Sequence, residues 1–237
     1  MELVESLGAT GTVCVVGAGG KKTTLYALAN RIGRAVVTAT VRIPIFDSEV
    51  ARVAVTDDPA EAVEDATEWP IGVVPEREGN RYRGYEVGVI DELRERTDVP
   101  LLVKADGART REFKAPGERE PQLPPSADTV IPVASAHAVG EPLDERTVHR
   151  PKRVAALTGL EVGDAVTAEA IATVLASPEG GLKGVPGGAS AIPLINKVDD
   201  EGDERVAREI AREIHERAGV ERVVLARMAD AEVVDVI

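Results

Sequence analysis

The stretch richest in chemistry lies near the amino terminus, where VCVVGAGGKKTTLYALA runs an apolar segment into a glycine-rich bend, two lysines and two threonines. Glycines let backbone N–H groups converge on an anion without a Cβ in the way, a following helix adds its positive dipole end, and lysine adds a point charge. Gly17, Gly19, Gly20, Lys21, Lys22, Thr23 and Thr24 are therefore candidate contacts to the phosphates of a nucleotide. The GxxxxGK[ST] pattern fits in neither register. With Gly20-Lys21 as its GK pair, Val15 stands at the first glycine and Lys22 where the metal-binding hydroxyl belongs; with Lys22-Thr23 as its KT pair, Lys21 stands at the last glycine. The first register keeps all three glycines in the bend, so Lys21 is the phosphate lysine, with Thr23 or Thr24 left to serve magnesium.

A second constellation, AIPLINKVDD, sets Asn196, Lys197 and Asp199 directly after an apolar run, the NKxD pattern of guanine recognition. A carboxylate accepts from the N1–H and the exocyclic amine of guanine, a donor pair that adenine lacks at that edge. Lys197 would lay its stem along the base, and Asn196 would tie this corner back to the phosphate bend. A third, LLVKADGART, ends a strand on Asp106 and Gly107, where α/β ligand sites lie. Asp106 could hold magnesium through water and Gly107 could offer its N–H to a γ-phosphate. This reading makes Lys21 and Asp106 the catalytic candidates, Thr23 and Asp106 the metal candidates, and GTP (or ATP) with Mg2+ the cofactors. The competing readings are ordinary ones: a plain glycine turn, a charged turn before a helix, a strand-ending Asp-Gly.

Other residues carry less. Thr38 and Thr40 could add a hydroxyl to the metal or the γ-phosphate. Arg109, Arg111 and Lys114 are excess positive charge that serves either an anion or solubility, and His149 reads as a local capping or packing residue. Cys14, inside an apolar run, reads as a small buried hydrophobe. With one cysteine and three scattered histidines, the paired spacings of zinc sites are absent.

These residues need a scaffold, and the pattern supplies one. Short Val- and Ile-rich runs alternate with amphipathic stretches, the signature of parallel strands joined by crossover helices. Strands are predicted at 13–16, 35–38, 52–55, 71–74, 100–105, 129–134, 191–195 and 222–225. Helices are predicted at 24–31, 59–66, 87–96, 150–157, 167–175 and 204–217. Residues 76–86 read as a surface hairpin or loop, 107–125 as a long functional loop without packed structure, and the GGLKGVPGG segment as a linker or lid. The expected fold is α/β, a P-loop NTPase-like three-layer sandwich with a mostly parallel central sheet, forming a single nucleotide-binding domain over 1–237 with inserted regions near 76–86 and 107–190.

The chain has 237 residues, 43% of them hydrophobic, and 41 acidic against 28 basic side chains, for a net charge of −13. That surface repels phosphodiester backbones and anionic lipid, which argues against nucleic acid and membrane as partners. An acidic excess spread along the whole chain, with Arg well above Lys, suits a salt-rich, halophilic cytosol, where screening relieves self-repulsion. MELVESLGATG lacks the basic flank and apolar core of a signal peptide, so a soluble cytoplasmic protein is expected.

The chain resembles the YqeC family of selenium-dependent hydroxylase accessory proteins. VVGAGGKKTTLYALA looks like its nucleotide turn and VVTATVRIP like its threonine-rich segment, followed by LLVKADGARTREFKAPGEREPQLPPSADTVIPV, GEPLDERTVHRPKRVAALTGL and GGLKGVPGGASAIPLINKVD in the same order. Lys22 and Lys104 stand where the family usually has threonine and glutamate. The resemblance implies a P-loop nucleotide-binding fold and a role in maturing molybdenum hydroxylases that carry a labile selenium or sulfur ligand, with the hydroxylase or its cofactor-assembly proteins as partners. The combined expectation is a GTP-binding accessory protein, with hydrolysis as an open second property. The alternatives are a non-catalytic nucleotide- or phosphate-binding scaffold and a small-molecule kinase.

Overall fold

The computed structural model describes residues 2–237. In chain order its main elements are α1 (Leu3–Ser6), β1 (Thr12–Gly17), α2 (Lys21–Ile32), β2 (Val36–Ala39), β3 (Arg52–Val55), α3 (Pro59–Glu64), β4 (Ile71–Val74), α4 (Val87–Arg96) and β5 (Leu101–Lys104). There follow β6 (Thr129–Ser135), α5 (Pro151–Thr158), α6 (Ala168–Leu175), β7 (Leu194–Asn196), α7 (Glu201–Arg217), β8 (Val224–Arg227) and β9 (Glu232–Val236). Across the central sheet the order is β9–β8–β7–β6–β1–β5–β2–β4–β3. Every pairing on this path is parallel except that of β8 with β9.

Because the inner strands are covered on both faces, they read as continuous apolar runs rather than as alternation. Val13 and Val15 of β1 face a cluster with Leu25 and Leu28 of α2, whereas Cys14 and Val16 face a cluster with Ile90 and Leu93 of α4. The α5–α7 group packs over β7 and β8 through Ile171, Ile210 and Ile214. Helices thus flank the sheet on both faces, giving the expected three-layer α/β sandwich. No described helix is long and apolar enough to cross a membrane.

Helices α3 and α6 open on side-chain caps. Asp58 accepts from the Glu61 N–H at 3.0 Å and Thr167 from the Ala170 N–H at 3.0 Å. Residues 77–78 and 81–82 form the expected hairpin, to which Ile43–Pro44 adds a third strand. The chain departs from expectation in several places, among them the start of α2 at Lys21 rather than at residue 24 and the division of the expected 191–195 strand into Ser190–Ala191 and Leu194–Asn196. The 107–125 segment is not free of packed structure: Phe113–Lys114 pairs in parallel with Val148–His149, and Phe113 and Ala115 are buried in a core, because single apolar residues among Pro, Arg and Glu anchor it without any periodicity to betray them. The last helix begins at Glu201, since Asp200 caps it by accepting from the Gly202 and Asp203 N–H groups. The sheet also closes with β9, an antiparallel edge strand that the sequence pattern missed.

The chain leaves β1 for β2, beyond β5, and leaves β5 for β6, on the far side of β1. This reversal opens a crevice at the carboxyl ends of β1 and β5, the position where open α/β sheets bind ligands.

Candidate functional site

The bend after β1 is built by close approach. Gly17 has φ +92°, and a Cβ there would lie 2.2 Å from the Val133 carbonyl oxygen; Gly20 has φ +138°, and a Cβ there would lie 2.0 Å from Asn196 Nδ2. Only glycine tolerates both the dihedral and the contact. The Ala18 and Gly19 N–H groups are taken by the Val133 and Arg111 carbonyls, at 2.9 and 2.8 Å. Those of Gly20, Lys21, Lys22 and Thr23, which open α2, have no partner among the described residues, and Gly20 offers no side-chain cap. Four unpaired donors at the positive end of a three-turn helix set a favourable potential for negative charge.

Asp106, just past β5, organises the floor. Its carboxylate accepts the Gly17 N–H at 2.9 Å, pairs with Lys21 at 2.5 Å and pairs with Lys114 at 2.8 Å, and all three side chains are almost wholly buried. Lys21 also donates to the Gly17 carbonyl. Burial alone would raise the Asp106 carboxyl, but the Lys21 and Lys114 ammonium groups outweigh it and hold it below the usual carboxylate range. Burial in turn pulls Lys21 below the usual lysine range, with Asp106 opposing. Lys114 reaches Glu120 at 2.7 Å, and Arg150 reaches the same Glu120 oxygen at 2.7 Å. Burial would raise Glu120, yet Arg150 and Lys114 bring it down to about 2.

The Asn-Lys-Val-Asp corner meets this bend. Asn196 donates to the Gly19 carbonyl at 2.7 Å and accepts the Met228 N–H at 2.9 Å, so one buried amide joins the turn after β1, the end of β7 and the turn after β8. Lys197, at φ +61°, pairs with Glu112 at 2.7 Å and lines the same cavity as Lys21. Asp199 lies outside that lining, about half-exposed, with its carboxylate 3.3 Å from His137 and 3.7 Å from Arg227. Thr23 stands exposed at the cavity wall, whereas the buried Thr24 hydroxyl turns back to the Gly20 carbonyl at 3.1 Å. Thr38 and Thr40 turn away as well, donating to the Val73 and Gln122 carbonyls at 2.8 and 2.7 Å. Cys14 is buried in the core and burial pushes its thiol up, as suits a packing residue.

The cavity encloses about 630 Å³, and nine of its lining residues are Lys or Arg against two Glu. In a chain of net charge −13 this is a pocket of reversed sign, which recruits anions. Sequence reasoning had no signal that would bring Glu112, Glu120 and Arg150 to the cavity or Met228 to the Asn196 amide. They are single side chains in irregular segments, and only the three-dimensional path gathers them.

His149 also lines the cavity, with its imidazole brought down to about 4, first by burial and then by Arg150 and Lys114. Its folded value lies below the ordinary 6.5, so the unfolded chain takes the proton first and stability falls as pH falls from 6.5 toward 4. His149→Gln should flatten the melting temperature over that window in thermal scans; an unchanged slope would contradict this environment.

The comparisons agree with one another. A family model described as "YqeC protein" matches residues 13–152, more than half of the chain. The curated relative "Uncharacterized protein YqeC" of Escherichia coli (strain K12) is 31% identical over 192 residues, covering 78% of this chain and 75% of its own. No solved structure matches significantly.

Proposed function

The chain belongs to the YqeC family, and on that premise we propose that it is a GTP-binding accessory protein serving the maturation of selenium- or sulfur-dependent molybdenum hydroxylases. The family resemblance supports the maturation role. The nucleotide reading rests on one observation above all: the Asn196 amide clamps the guanine-type corner onto the glycine bend, beside four unpaired helix N–H groups and a buried lysine.

In this reading the first turn of α2 receives the phosphate chain, and Lys21 exchanges the Gly17 carbonyl and Asp106 for phosphate oxygens. Lys22 neutralises charge from the rim, and the Lys197 stem flanks the base. Asp199 gives up only a contact with His137 and a long, partly exposed pairing with Arg227 to meet a guanine edge, a small cost. Magnesium fits as an ion that arrives with the nucleotide. Asp106 Oδ1 accepts no hydrogen bond of good geometry, the Lys21 ammonium alone lying against it, so Lys21's departure leaves a buried carboxylate oxygen for a hard cation. Asp106 and the Thr23 hydroxyl would hold it, and it would supply charge neutralisation at the β- and γ-phosphates. Among the described residues no side chain stands out to orient an attacking water, so unaided hydrolysis is expected to be slow.

The test is a pair of competition titrations at high salt with magnesium. GTP should displace a fluorescent GTP analogue at a concentration at least about 10-fold lower than ATP does, and Asp199→Asn should bring the two within about threefold, because the second acceptor oxygen is lost. Equal GTP and ATP affinity in the unaltered protein would remove the base assignment.

A further inference from the structure

The cavity reaches further than a phosphate chain held by α2 requires. Lys104, the last residue of β5, is 6% exposed yet lines it. Its ammonium donates to the Arg42 carbonyl at 2.9 Å and to the Asp106 carbonyl at 2.7 Å, and no carboxylate pairs with it among the described residues. Arg42 lies past β2, so these bonds fix Lys104 on the β2 side of Asp106, while Lys21 occupies the β1 side. Burial, and then the nearby Lys21 ammonium, bring Lys104 down to about 7, so its charge is held at a cost that a bound anion would offset.

The wall around Lys104 is separately built. Pro44 and Arg81 face each other across the small antiparallel sheet, and Val41 adjoins them. Arg81 and Arg109 also line the cavity and have no carboxylate partner among the described residues, whereas Arg42 is held by Glu78 at 2.6 Å. Arg109 and Thr110 sit at φ +49° and +58°, an unfavourable backbone conformation for two consecutive non-glycine residues. Lys104, through the Arg42 carbonyl, and Arg81, through its pairing with Pro44, both meet the 42–44 segment, where Val41 and Pro44 add apolar lining, which suits an organic molecule with a charged end better than a bare ion.

We propose that the end of the cavity over the β5–β2 gap is a second subsite, taking the phosphomonoester group of an organic molecule, with Lys104 and Arg81 on the phosphoryl oxygens and Val41 and Pro44 against the carbon skeleton. Its being second rests on the reading of the Gly17–Thr24 bend as the nucleotide end. The protein would then bring two anionic ligands together on either side of Asp106.

Phenyl phosphate and inorganic phosphate are the probes, titrated calorimetrically into the protein alone and into protein saturated with a non-hydrolysable GTP analogue and magnesium. Phenyl phosphate should bind in both states, at least about fivefold tighter than inorganic phosphate, and Lys104→Met should weaken it at least 10-fold while leaving the GTP analogue within about threefold. Displacement of phenyl phosphate by the GTP analogue, or indifference to Lys104→Met, overturns the proposal. Equal binding of both probes overturns the organic part and assigns the subsite to free phosphate. If the GTP analogue fails to bind, the nucleotide reading falls on its own, and phenyl phosphate binding that depends on Lys104 still decides for or against this end of the cavity. Methionine matches the lysine stem in length, and a melting temperature at or above that of the unaltered protein confirms that the variant folds.

Discussion

Lys21→Ala is expected to weaken binding of magnesium-GTP about 100-fold or more, the equivalent of roughly 3 kcal/mol for a charge-assisted contact made inside a dry site. Lys22→Ala, which removes a half-buried charge from the rim, should cost only a fewfold. The contrast matters more than either value, because the two lysines are adjacent and carry the same charge. Only Lys21 is held among Gly17, Asp106 and the cavity floor. The Lys21 variant should remain folded, since Asp106 keeps Lys114 and the Gly17 N–H. Equal losses at the two positions in competition titrations would mean that binding follows general charge rather than this geometry.

Asp106→Asn should have the largest effect on stability. The substitution keeps the shape but removes the charge that balances Lys21 and helps balance Lys114, both nearly inaccessible to water. Removing one partner of a buried ion pair costs about 3–5 kcal/mol. For a chain of this size that corresponds to a melting temperature roughly 10 °C lower. The loss should be partly recovered by adding inorganic phosphate, which restores negative charge to an over-cationic cavity. A melting temperature within about 2 °C of the unaltered protein would contradict the charge arrangement described here.

Much of the scaffold is visible in the order of residues, for physical reasons. Strands buried on both faces must be apolar throughout, so Leu101–Lys104 and Thr129–Ser135 stand out against charged surroundings, and Asp58 and Thr167 mark their helices because a cap needs a short acceptor. The bend at Gly17–Gly20 is legible because no residue with a Cβ could replace its glycines. Asn196 is legible in type, and its reach to Gly19 follows from parallel strands ending on one side of the sheet. Lys114, by contrast, reads as one more surface charge in a Pro- and Glu-rich stretch. Its burial beside Asp106 depends on Phe113 anchoring the segment to Val148, a pairing between residues far apart in sequence. Lys104 was hidden for the opposite reason: a lysine at a strand end looks like an exit to solvent, and only the fold shows that the Arg42 backbone closes over it. The edge strand Glu232–Val236 alternates weakly and pairs on one side only, which leaves little pattern to find.

The central claim is that the glycine bend and the Asn196–Asp199 corner hold one nucleotide between them, and amide hydrogen exchange tests it most directly. Exchange would be followed peptide by peptide with and without magnesium-GTP at high salt. Slowed exchange should appear together in 17–24 and in 196–199, at the same nucleotide concentration. Slowing confined to 17–24, with the corner unchanged at saturation, would contradict the claim and leave a site for phosphate alone.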